Sequence, residues 1–491
     1  MKKFESQVQI IKHEILKEVA TLAIKGTLDK EYRTIYKKIV KGPKSITRCC
    51  IYKEKEIVKE RVKLAMGGNK KNKNIIEVIN SACEECPVNR FTVTEACRGC
   101  LAHKCSEVCP VGAIYHVEHR AYIDNNKCIE CGKCKNVCPY NAISDVMRPC
   151  RKSCGANALS IDENKKAVID NDKCIQCGAC TYTCPFGAIM DKSFIVDVIN
   201  ILKKSKEENF HVYAVVAPAI SSQLKDVGVG KIFNSIKKLG FDYVLEAAVG
   251  ADAVALHEGN EFAHTIDKNG LMTSSCCPAF VSYITKNYPN IIDKISDSVS
   301  PMIAMSRIIK NEDAKAKVIF IGPCTAKKME IMQDDVKGST DYVLTFEELQ
   351  AMLDAANIDV NESEEEILED ASFYGRIFAR TGGLVEAVKQ VIKEEKLDVE
   401  FNPIICDGIK ECDKALKIAN INKLNANFIE GMACSGGCIG GAGVMNKSPK
   451  DKMEVEKYGQ SSVKYGINDS IRNINISEVN LDREFKKSYT K

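Results

Sequence analysis

The chain has 491 residues, among them 25 cysteines, and its 70 Lys and Arg against 66 Asp and Glu give a formal net charge of +4. This length exceeds what one hydrophobic core usually supports, so we expect several domains and room for a buried catalytic site. Lys, Glu or His interrupts every apolar stretch of the N-terminus, so we expect no signal peptide, and no later segment has the roughly 18 uncharged apolar residues of a membrane span. A reducing cytoplasm, in which thiols stay free to bind metals, fits the cysteine content best.

Residues 1–79 are predicted to form a basic helical segment. Residues 1–75 carry 20 Lys and Arg against 8 Asp and Glu. The segment lacks interleaved aromatics and any zinc-finger or RNA-binding motif, so we expect no nucleic-acid partner. A solvated helical face is the simplest interpretation, and docking of an acidic electron-carrier protein is the second. Cys49 and Cys50 have no partner pair nearby and are interpreted as structural or incidental thiols.

Residues 80–195 hold 16 of the 25 cysteines. Two segments match the ferredoxin pattern C-x2-C-x2-C-x3-C-P, and a third widens one gap to four residues but keeps the Cys-Pro ending. Zinc sites usually combine two separated cysteine pairs, so we favour 4Fe-4S clusters. The three units are Cys128, Cys131, Cys134, Cys138; Cys174, Cys177, Cys180, Cys184; and Cys97, Cys100, Cys105, Cys109.

The fourth cysteine of such a unit usually binds the second cluster of a two-cluster ferredoxin. One inner cluster would then use Cys97, Cys100, Cys105 and Cys138, and the other Cys128, Cys131, Cys134 and Cys109. The leftover cysteines are spaced like a split ferredoxin motif, so the outer clusters would use Cys83, Cys86, Cys150 with Cys184, and Cys174, Cys177, Cys180 with Cys154. We therefore favour one ferredoxin-like unit (97–145) inserted into another (83–86 plus 150–190), with four accessory clusters. The alternative is three clusters, with Cys83 and Cys86 unused.

From residue 205 onward, short apolar β-rich runs alternate with helical patterns, which predicts an α/β domain over residues 205–491. Strands are expected at 212–218, 317–323 and 342–346. After the last of these, Thr345 and Glu348 are spaced as a capping box that opens a helix. Cys324 directly follows a predicted strand, which is where open α/β sheets usually carry their sites.

Three motifs in this region place cysteines in Gly- or Pro-rich turns: TSSCCPAF (273–280), IGPCTAKKME (321–330) and EGMACSGGCIGGAG (430–443). Such turns let the backbone approach a cluster closely and direct amide donors at its sulfurs. Cys277, Cys324, Cys434 and Cys438 would together form one buried 4Fe-4S site. Cys276 would remain beside it as a free thiol.

These three segments resemble the H-cluster signatures of FeFe hydrogenases, over residues 205–445, and are most similar to the group B, monomeric clostridial-type branch. The resemblance implies an α/β catalytic domain with two sheet-containing lobes around the H-cluster, preceded by ferredoxin-like α+β 4Fe-4S domains. It implies that the four cysteines bind a cubane and that Cys438 bridges to a diiron centre with carbonyl, cyanide and azadithiolate ligands. The implied reaction is the reversible heterolytic cleavage and formation of H2 in an anaerobic setting. Electrons would pass between the accessory clusters and a ferredoxin-like carrier, and hydrogenase maturases would install the diiron centre.

By the same resemblance, Cys276 is the thiol that relays protons, Glu258 and Glu261 are the relay glutamates, and Ser300 is the relay serine. The spacing of the two glutamates puts both carboxyls on one face of a helix, although a solvated acidic face would have the same pattern.

The resemblance also assigns residues to the cyanide ligands and to the surroundings of the diiron centre. Lys327 would hydrogen-bond one cyanide, and the backbone of Ala217, next to Pro218, would donate to the other. Met432 would pack near the diiron centre, although an isolated buried Met more often belongs to an ordinary core.

Several positions depart from the better-known group A pattern. Gly322 stands where group A has methionine, Phe280 where it has tryptophan, and Thr265 roughly where it has the surface arginine of the relay; Ala442 interrupts the final glycine run. His264 or Asp267 could replace the missing exit group. We therefore expect the packing around the open iron and the outer proton exit to differ from those of group A.

Two other functions share parts of this pattern. Hydrogenase-like iron-sulfur assembly proteins of eukaryotes keep the cubane cysteines without the diiron chemistry, but Cys276 and Lys327 serve only the diiron centre. Hydrogen sensors usually lose the relay thiol and gain signalling modules, and neither is seen in this sequence. Cys406 and Cys412 match no ligand position and are interpreted as structural thiols.

Overall fold

The computed structural model describes residues 4–48, 50–224 and 226–484. The chain begins with four helices: α1 (Gln7–Lys25), α2 (Leu28–Glu31), α3 (Ile35–Ile39) and α4 (Ile51–Ala65). On α1 the side chains of Ile15, Leu16 and Val19 are completely buried. A solvated helical face therefore describes only part of the basic segment, because its apolar face packs against the rest of the molecule.

The cysteine-rich region consists of short antiparallel strands and helical turns. In chain order these are β1 (Ile76–Val78), β2 (Phe91–Val93), α5 (Lys104–Glu107), β3 (Ile114–Val117), β4 (Arg120–Ile123), α6 (Lys133–Val137), β5 (Ile143–Asp145), α7 (Pro149–Ser153), β6 (Leu159–Ile161), β7 (Ala167–Ile169), α8 (Ala179–Thr183) and β8 (Ile189–Asp191). Hairpins β3–β4 and β6–β7 join strands that are neighbours in sequence. In chain order β2 and β5 enclose the first hairpin and pair with each other, while β1 and β8 enclose everything else and also pair.

The remaining residues form two parallel sheets covered by helices. The strands are β9 (Val212–Val216), β10 (Tyr243–Glu246), β11 (Met272–Thr273), β12 (Lys317–Gly322), β13 (Tyr342–Thr345), β14 (Pro403–Asp407) and β15 (Phe428–Met432). One sheet has the order β10-β9-β12-β13 and the other the order β11-β15-β14. The three strands expected from the sequence are confirmed as β9, β12 and β13.

Twelve helices of the described residues belong to this α/β region. They are α9 (Ile195–Glu208), α10 (Val229–Lys238), α11 (Ala247–Asn269), α12 (Pro278–Asn287), α13 (Pro301–Glu312), α14 (Ala326–Glu330), α15 (Phe346–Ala355), α16 (Phe373–Ile377), α17 (Gly383–Glu394), α18 (Ile409–Ala419), α19 (Asp451–Gln460) and α20 (Ile467–Ile471). The expected capping box opens α15, since the Glu348 N–H donates to Thr345 Oγ1 and the Thr345 N–H donates to the Glu348 carboxylate. Across the described ranges, we find no helix long and apolar enough to cross a membrane.

Buried charges join the three regions. Lys12 on α1 donates to Asp191 at the end of β8 at 2.8 Å and to Glu347 on α15 at 2.6 Å. Lys328, which is fully buried, donates to Asp191 and to Glu348, both at 2.9 Å. The N-terminal helices, the cysteine-rich region and the α/β region therefore meet at one network of paired charges.

Candidate active site

The cysteines of the three C-terminal motifs lie just beyond the carboxyl ends of strands from both parallel sheets. Cys277 caps α12 shortly after β11, Cys324 follows β12, and Cys434 and Cys438 follow β15. Burial, followed by the neighbouring thiol of Cys277, raises the pKa of Cys324 to about 11. Burial, followed by the thiols of Cys324 and Cys277, raises the pKa of Cys438 to about 12. Burial raises the pKa of Cys434 well above its usual range, and the further causes include Cys324, Cys277 and Cys438. The four thiols predicted to share one site therefore lie close enough to influence one another.

The turns that carry these cysteines are packed backbone against backbone. The Gly443 N–H donates to the Pro323 carbonyl at 2.8 Å, so the turn after Cys438 is tied to the turn before Cys324. A Cβ atom on Gly441 would lie 2.3 Å from the same Pro323 oxygen. Gly437 has a φ of +84°, and its Cβ would lie 2.6 Å from the backbone nitrogen of Thr381. A side chain at Gly441 would push the two cysteine turns apart, and one at Gly437 would push the turn of Cys438 away from Thr381.

Cys276 and Glu258 are buried beside the four thiols. Burial raises the pKa of the Cys276 thiol well above its usual range, and the charge of Glu258 is the next largest cause. Glu258 on α11 is completely buried, and among the described residues neither of its carboxylate oxygens makes a hydrogen bond of normal geometry, although the N–H of Ser275 and the hydroxyl of Ser296 lie close enough to act to lower its pKa. Burial, followed by the charge of Glu261, raises the pKa of Glu258 to about 8. A buried carboxyl without partners is costly unless it is protonated or serves a group that the fold is built to hold.

Of the serines in the segment before α13, Ser296 makes the shortest contact with Glu261. Its hydroxyl donates to Glu261 Oε2 at 2.6 Å, and the Asp297 N–H donates to Glu261 Oε1 at 2.8 Å. The hydroxyl of Ser300 instead donates to Glu330 at 3.1 Å. The assignment of Ser300 to this position was therefore wrong, since its side chain points to a different carboxylate.

Lys327 lies between the four thiols and a buried acid. Its ammonium donates to Glu330 Oε2 at 2.8 Å and to the backbone carbonyl of Cys276 at 3.3 Å. The same charge acts to lower the pKa values of Cys324 and Cys438. Glu330 was missed in the sequence, although its spacing of three residues from Lys327 on a helix was a usable signal.

Two further positions from the sequence have different outcomes. The Ala217 N–H donates to the Ile321 carbonyl at 2.9 Å as a continuation of the sheet. The expectation that this N–H donates to a cyanide was therefore wrong. Met432 is buried at the end of β15, next to the loop that carries Cys434.

Gly322 and Phe280, which both depart from the group A pattern, each take part in a separate glycine–aromatic contact. A Cβ on Gly322 would lie 2.4 Å from the ring of Phe320, and a Cβ on Gly431 would lie 2.2 Å from the ring of Phe280. Phe280 is completely buried. Aromatic rings therefore fill the space that larger side chains at the two glycines would need.

Three cavities of the cysteine-rich region are each lined by a predicted set of four cysteines. The first contains Cys97, Cys100, Cys105 and Cys138; the second Cys109, Cys128, Cys131 and Cys134; the third Cys154, Cys174, Cys177 and Cys180. In the first cavity, His116 Nε2 lies 3.9 Å from Cys105 Sγ. Each cavity combines the first three cysteines of one unit with the last cysteine of another.

The remaining predicted set is recognisable from mutual charge effects. Burial raises the pKa of Cys150 to about 11, and the further causes include Cys184, Cys83 and Cys86.

A short path also connects the cysteine-rich region to the four thiols of the α/β region. The Thr325 hydroxyl, next to Cys324, donates at 2.9 Å to the carbonyl of Gln176, next to Cys177.

Sets of four cysteine thiols are the ligands that 4Fe-4S clusters require, and such sets line the cavities of the cysteine-rich region. Every cysteine in the described ranges is a free thiol. Among the same residues no three His, Cys, Asp or Glu side chains are arranged to hold one ion, as a tetrahedral zinc site would require. Cys406 and Cys412 are buried in a neighbouring apolar cluster, as expected for structural thiols. Cys50 is exposed, and Cys49 lies outside the described residues.

Comparison with family descriptions covers both regions. Residues 210–442 match "Iron only hydrogenase large subunit, C-terminal domain". Residues 96–142 and 120–185 match 4Fe-4S dicluster domains, and residues 180–199 match a 4Fe-4S binding domain. The mixed α/β catalytic fold preceded by ferredoxin-like 4Fe-4S domains is therefore the architecture of this chain.

Three curated relatives place the chain among known proteins. Iron hydrogenase 1 of Clostridium pasteurianum is 31% identical over 397 residues, which are 70% of this chain and 68% of that protein. The periplasmic [Fe] hydrogenase large subunit of Nitratidesulfovibrio vulgaris is 29% identical, over 66% of this chain and 86% of that protein. The cytosolic Fe-S cluster assembly factor NAR1 of Kluyveromyces lactis is 20% identical, over 43% of this chain and 60% of that protein. The chain therefore belongs to the family of iron-only, or FeFe, hydrogenases.

Proposed function

We propose that this chain catalyses the reversible cleavage and formation of H2 at an H-cluster. The observation that carries the proposal is the buried pair of Cys276 and Glu258 beside the four-cysteine site. Neither residue is needed to hold a cubane. A thiol and a carboxyl of raised pKa suit the exchange of protons in a dry site, where water cannot do this work.

In this proposal Cys277, Cys324, Cys434 and Cys438 would hold the cubane, and Cys438 would also help to hold a diiron centre with carbonyl, cyanide and azadithiolate ligands. The bound cofactor supplies the heterolytic chemistry of H2. The protein holds it in place, excludes water and moves charge. Lys327 is the cationic donor to one anionic ligand, and Met432 packs beside the centre. The donor to the second ligand would be the N–H of Ala219, which lies in the first turn of the short 3-10 helix Pro218–Ser222, where N–H groups lack acceptors within the helix.

The protons would move between Cys276, Glu258, Ser296 and Glu261. Glu258 and Glu261 are one turn apart on α11, and Ser296 already bonds to Glu261. The Ser296 hydroxyl can accept a proton from one carboxyl while it donates its own to the other. Cys276 is the group in this series that stands next to the cofactor site.

The electrons would pass through four accessory 4Fe-4S clusters. Support comes from the three cysteine-lined cavities, from the fourth set around Cys150, and from the enclosed pairing of β2–β5 inside β1–β8. Each of these pairs frames its own hairpin, which is the pattern expected of one ferredoxin-like unit (97–145) inserted in another (83–86 plus 150–190). The contact between Thr325 and Gln176 would bring the last accessory cluster next to the H-cluster.

A soluble ferredoxin-like carrier is the proposed electron partner. Exposed apolar side chains stand next to the inner cysteines: Leu101 after Cys100, Ile129 after Cys128, and Tyr140 after Cys138. Exposed apolar groups of this kind favour the docking of another protein. We place the reaction in a reducing, anaerobic cytoplasm, because the described cysteines are all free thiols, and we expect hydrogenase maturases to install the diiron centre.

The proposal is tested by turnover of the matured protein. After anaerobic loading with the diiron cofactor, infrared carbonyl and cyanide bands should appear, and the protein should evolve H2 from a reduced dye. Full loading without turnover in either direction would contradict the enzyme and favour a non-catalytic iron-sulfur protein like the assembly factors.

The four-cluster arrangement has its own test in the iron content. Protein made without maturases should hold the cubane and four accessory clusters, or about 20 irons per chain. A Cys86→Ser variant should lose about four of them. About 16 irons in both proteins would support the three-cluster alternative, in which Cys83 and Cys86 are unused.

A further inference from the structure

The helix that carries the two glutamates also carries His257, one turn before Glu261 on the same face. The two ring nitrogens of His257 contact different groups. Nδ1 lies 2.8 Å from the hydroxyl of Ser298, and Nε2 lies 3.1 Å from the carboxylate of Asp482. The imidazole therefore joins a serine on one side to an acid on the other.

Ser298 connects His257 to Glu261. Its hydroxyl lies 3.5 Å from Glu261 Oε2, the same oxygen that accepts from Ser296. This distance is long for a direct hydrogen bond, and a small rotation of the serine or one bridging water would close it. The groups thus run from Glu261 through Ser298 and His257 to Asp482.

The C-terminal segment fixes the outer end of this series. Ser298 and Asp482 form an antiparallel bridge. The Val299 N–H donates to the Leu481 carbonyl at 2.8 Å, and the Arg483 N–H donates to the Asp297 carbonyl at 2.6 Å. Asp482 is therefore held beside His257 by main-chain hydrogen bonds and not by a chance surface contact.

Exposure rises along the series. The His257 side chain is 29% exposed and that of Asp482 is 64% exposed, whereas Glu258 is completely buried. The alternatives suggested by the sequence do not connect to the Glu261 carboxylate in the same way. The Thr265 hydroxyl donates to the backbone carbonyl of Glu261, and His264 Nδ1 lies 2.6 Å from the carbonyl of Asn260.

We propose that His257 and Asp482, linked by Ser298, form the outer end of the proton path of this enzyme, in the place of the arginine that Thr265 replaces. The inference rests on the proposed hydrogenase function. In the direction of H2 formation, Asp482 takes a proton from water and passes it to His257 Nε2. The imidazolium gives its other proton, on Nδ1, to Ser298, which gives its own to Glu261. Each group ends as it began once the ring has exchanged tautomers and Glu261 has passed its proton on through Ser296, so one proton is moved inward and none is consumed.

The test compares His257→Gln with His264→Gln, an exposed histidine on the same helix. Glutamine can keep a hydrogen bond to Ser298 but cannot carry a proton. We expect His257→Gln to slow H2 turnover about tenfold, with unchanged infrared carbonyl bands, and His264→Gln to leave it unchanged. Added imidazole should restore the rate of the first variant. Equal rates for the two variants, or a slow His257→Gln enzyme that imidazole does not rescue, would overturn the proposed exit.

A second measurement needs neither the diiron centre nor turnover. In full-length protein that carries only its four-iron clusters, the C=O stretch of protonated Glu258, assigned with Glu258→Gln, shifts when the solvent is changed to D2O. We expect stopped-flow infrared to give an exchange about tenfold slower in His257→Gln than in His264→Gln. Equal exchange would overturn the path. Slow exchange together with a fully loaded wild type that does not turn over would support the path and contradict the hydrogenase function.

Discussion

The cysteine-rich region and the α/β region hold their thiols in different ways. Around the inner cavities the apolar cluster of the described residues has five buried members, Phe91, Ile114, Ala121, Cys134 and Ile143, and strands β2 to β5 are three or four residues long. In the α/β region, β12 and β15 are buried almost throughout and helices cover both sheets. A small core cannot hold short strands by itself, so we expect the fold of the cysteine-rich region to depend on its clusters. The α/β region has a large core and should stay folded without its cofactor.

The largest expected effect follows from iron removal. Because ligand binding is part of the folding free energy in small cluster domains, removing the clusters should unfold residues 76–191 while β9, β12 and β15 stay protected. Hydrogen-deuterium exchange of the iron-free and reconstituted proteins measures this directly. Equal protection of both regions in the iron-free protein would contradict the claim that only the cysteine-rich region depends on its clusters.

The next largest effect is on the turnover of the α/β region. Cys276→Ala removes the thiol nearest the cofactor site without touching a ligand, and turnover should fall by about 10²–10⁴-fold while the infrared carbonyl bands persist. Cys412→Ala, which removes a buried thiol with no proposed role in catalysis, is the matched control. Turnover that survives Cys276→Ala would remove this residue from the proton path.

The contact between the cysteine-rich region and the α/β region can be weakened by a substitution at Lys328. Its ammonium is fully buried and pairs with Asp191 of one region and Glu348 of the other. Lys328→Met should lower the free energy of unfolding by about 3–5 kcal/mol, because it leaves buried carboxylates without their partner. Chemical denaturation measures the loss. Lys457→Met, which breaks an exposed pair with Glu454, should change it by less than about 1 kcal/mol, and equal losses would contradict the account.

The smallest effect is a pH dependence at Glu258. Its pKa is raised to about 8 by burial, whereas a glutamate in the unfolded chain titrates near about 4.3. The folded protein therefore binds this proton more tightly, and the stability falls as the pH rises between these values. Glu258→Gln should remove that fall, so its melting temperature should exceed that of the wild type by a few degrees at pH 8 and by less at pH 5. The exposed control Glu478→Gln should follow the wild type at both pH values.

The ferredoxin motifs were readable in the sequence because their ligand spacing is local and each run of cysteines stays within one turn. The strands β9, β12 and β13 and the capping box of α15 were likewise local signals.

The serines were harder to separate, because Ser296, Ser298 and Ser300 alternate along one extended segment and differ only in their neighbours. The bridge between Thr273 and Ile295 and the pairing with the C-terminal segment decide which of them meets Glu261. The same holds for Ala217, whose N–H is taken by Ile321 of a strand about a hundred residues away in sequence. Long-range pairing of this kind leaves no spacing signal.

We propose above all that the four cysteines Cys277, Cys324, Cys434 and Cys438 hold a working H-cluster connected to the accessory clusters. Protein loaded with the diiron cofactor and oxidised by a dye should be placed under H2 and followed by electron paramagnetic resonance. We expect the accessory clusters to become reduced under H2 and to stay oxidised under argon. Fully loaded protein, with its carbonyl and cyanide bands in place, whose clusters remain oxidised under H2 would contradict it.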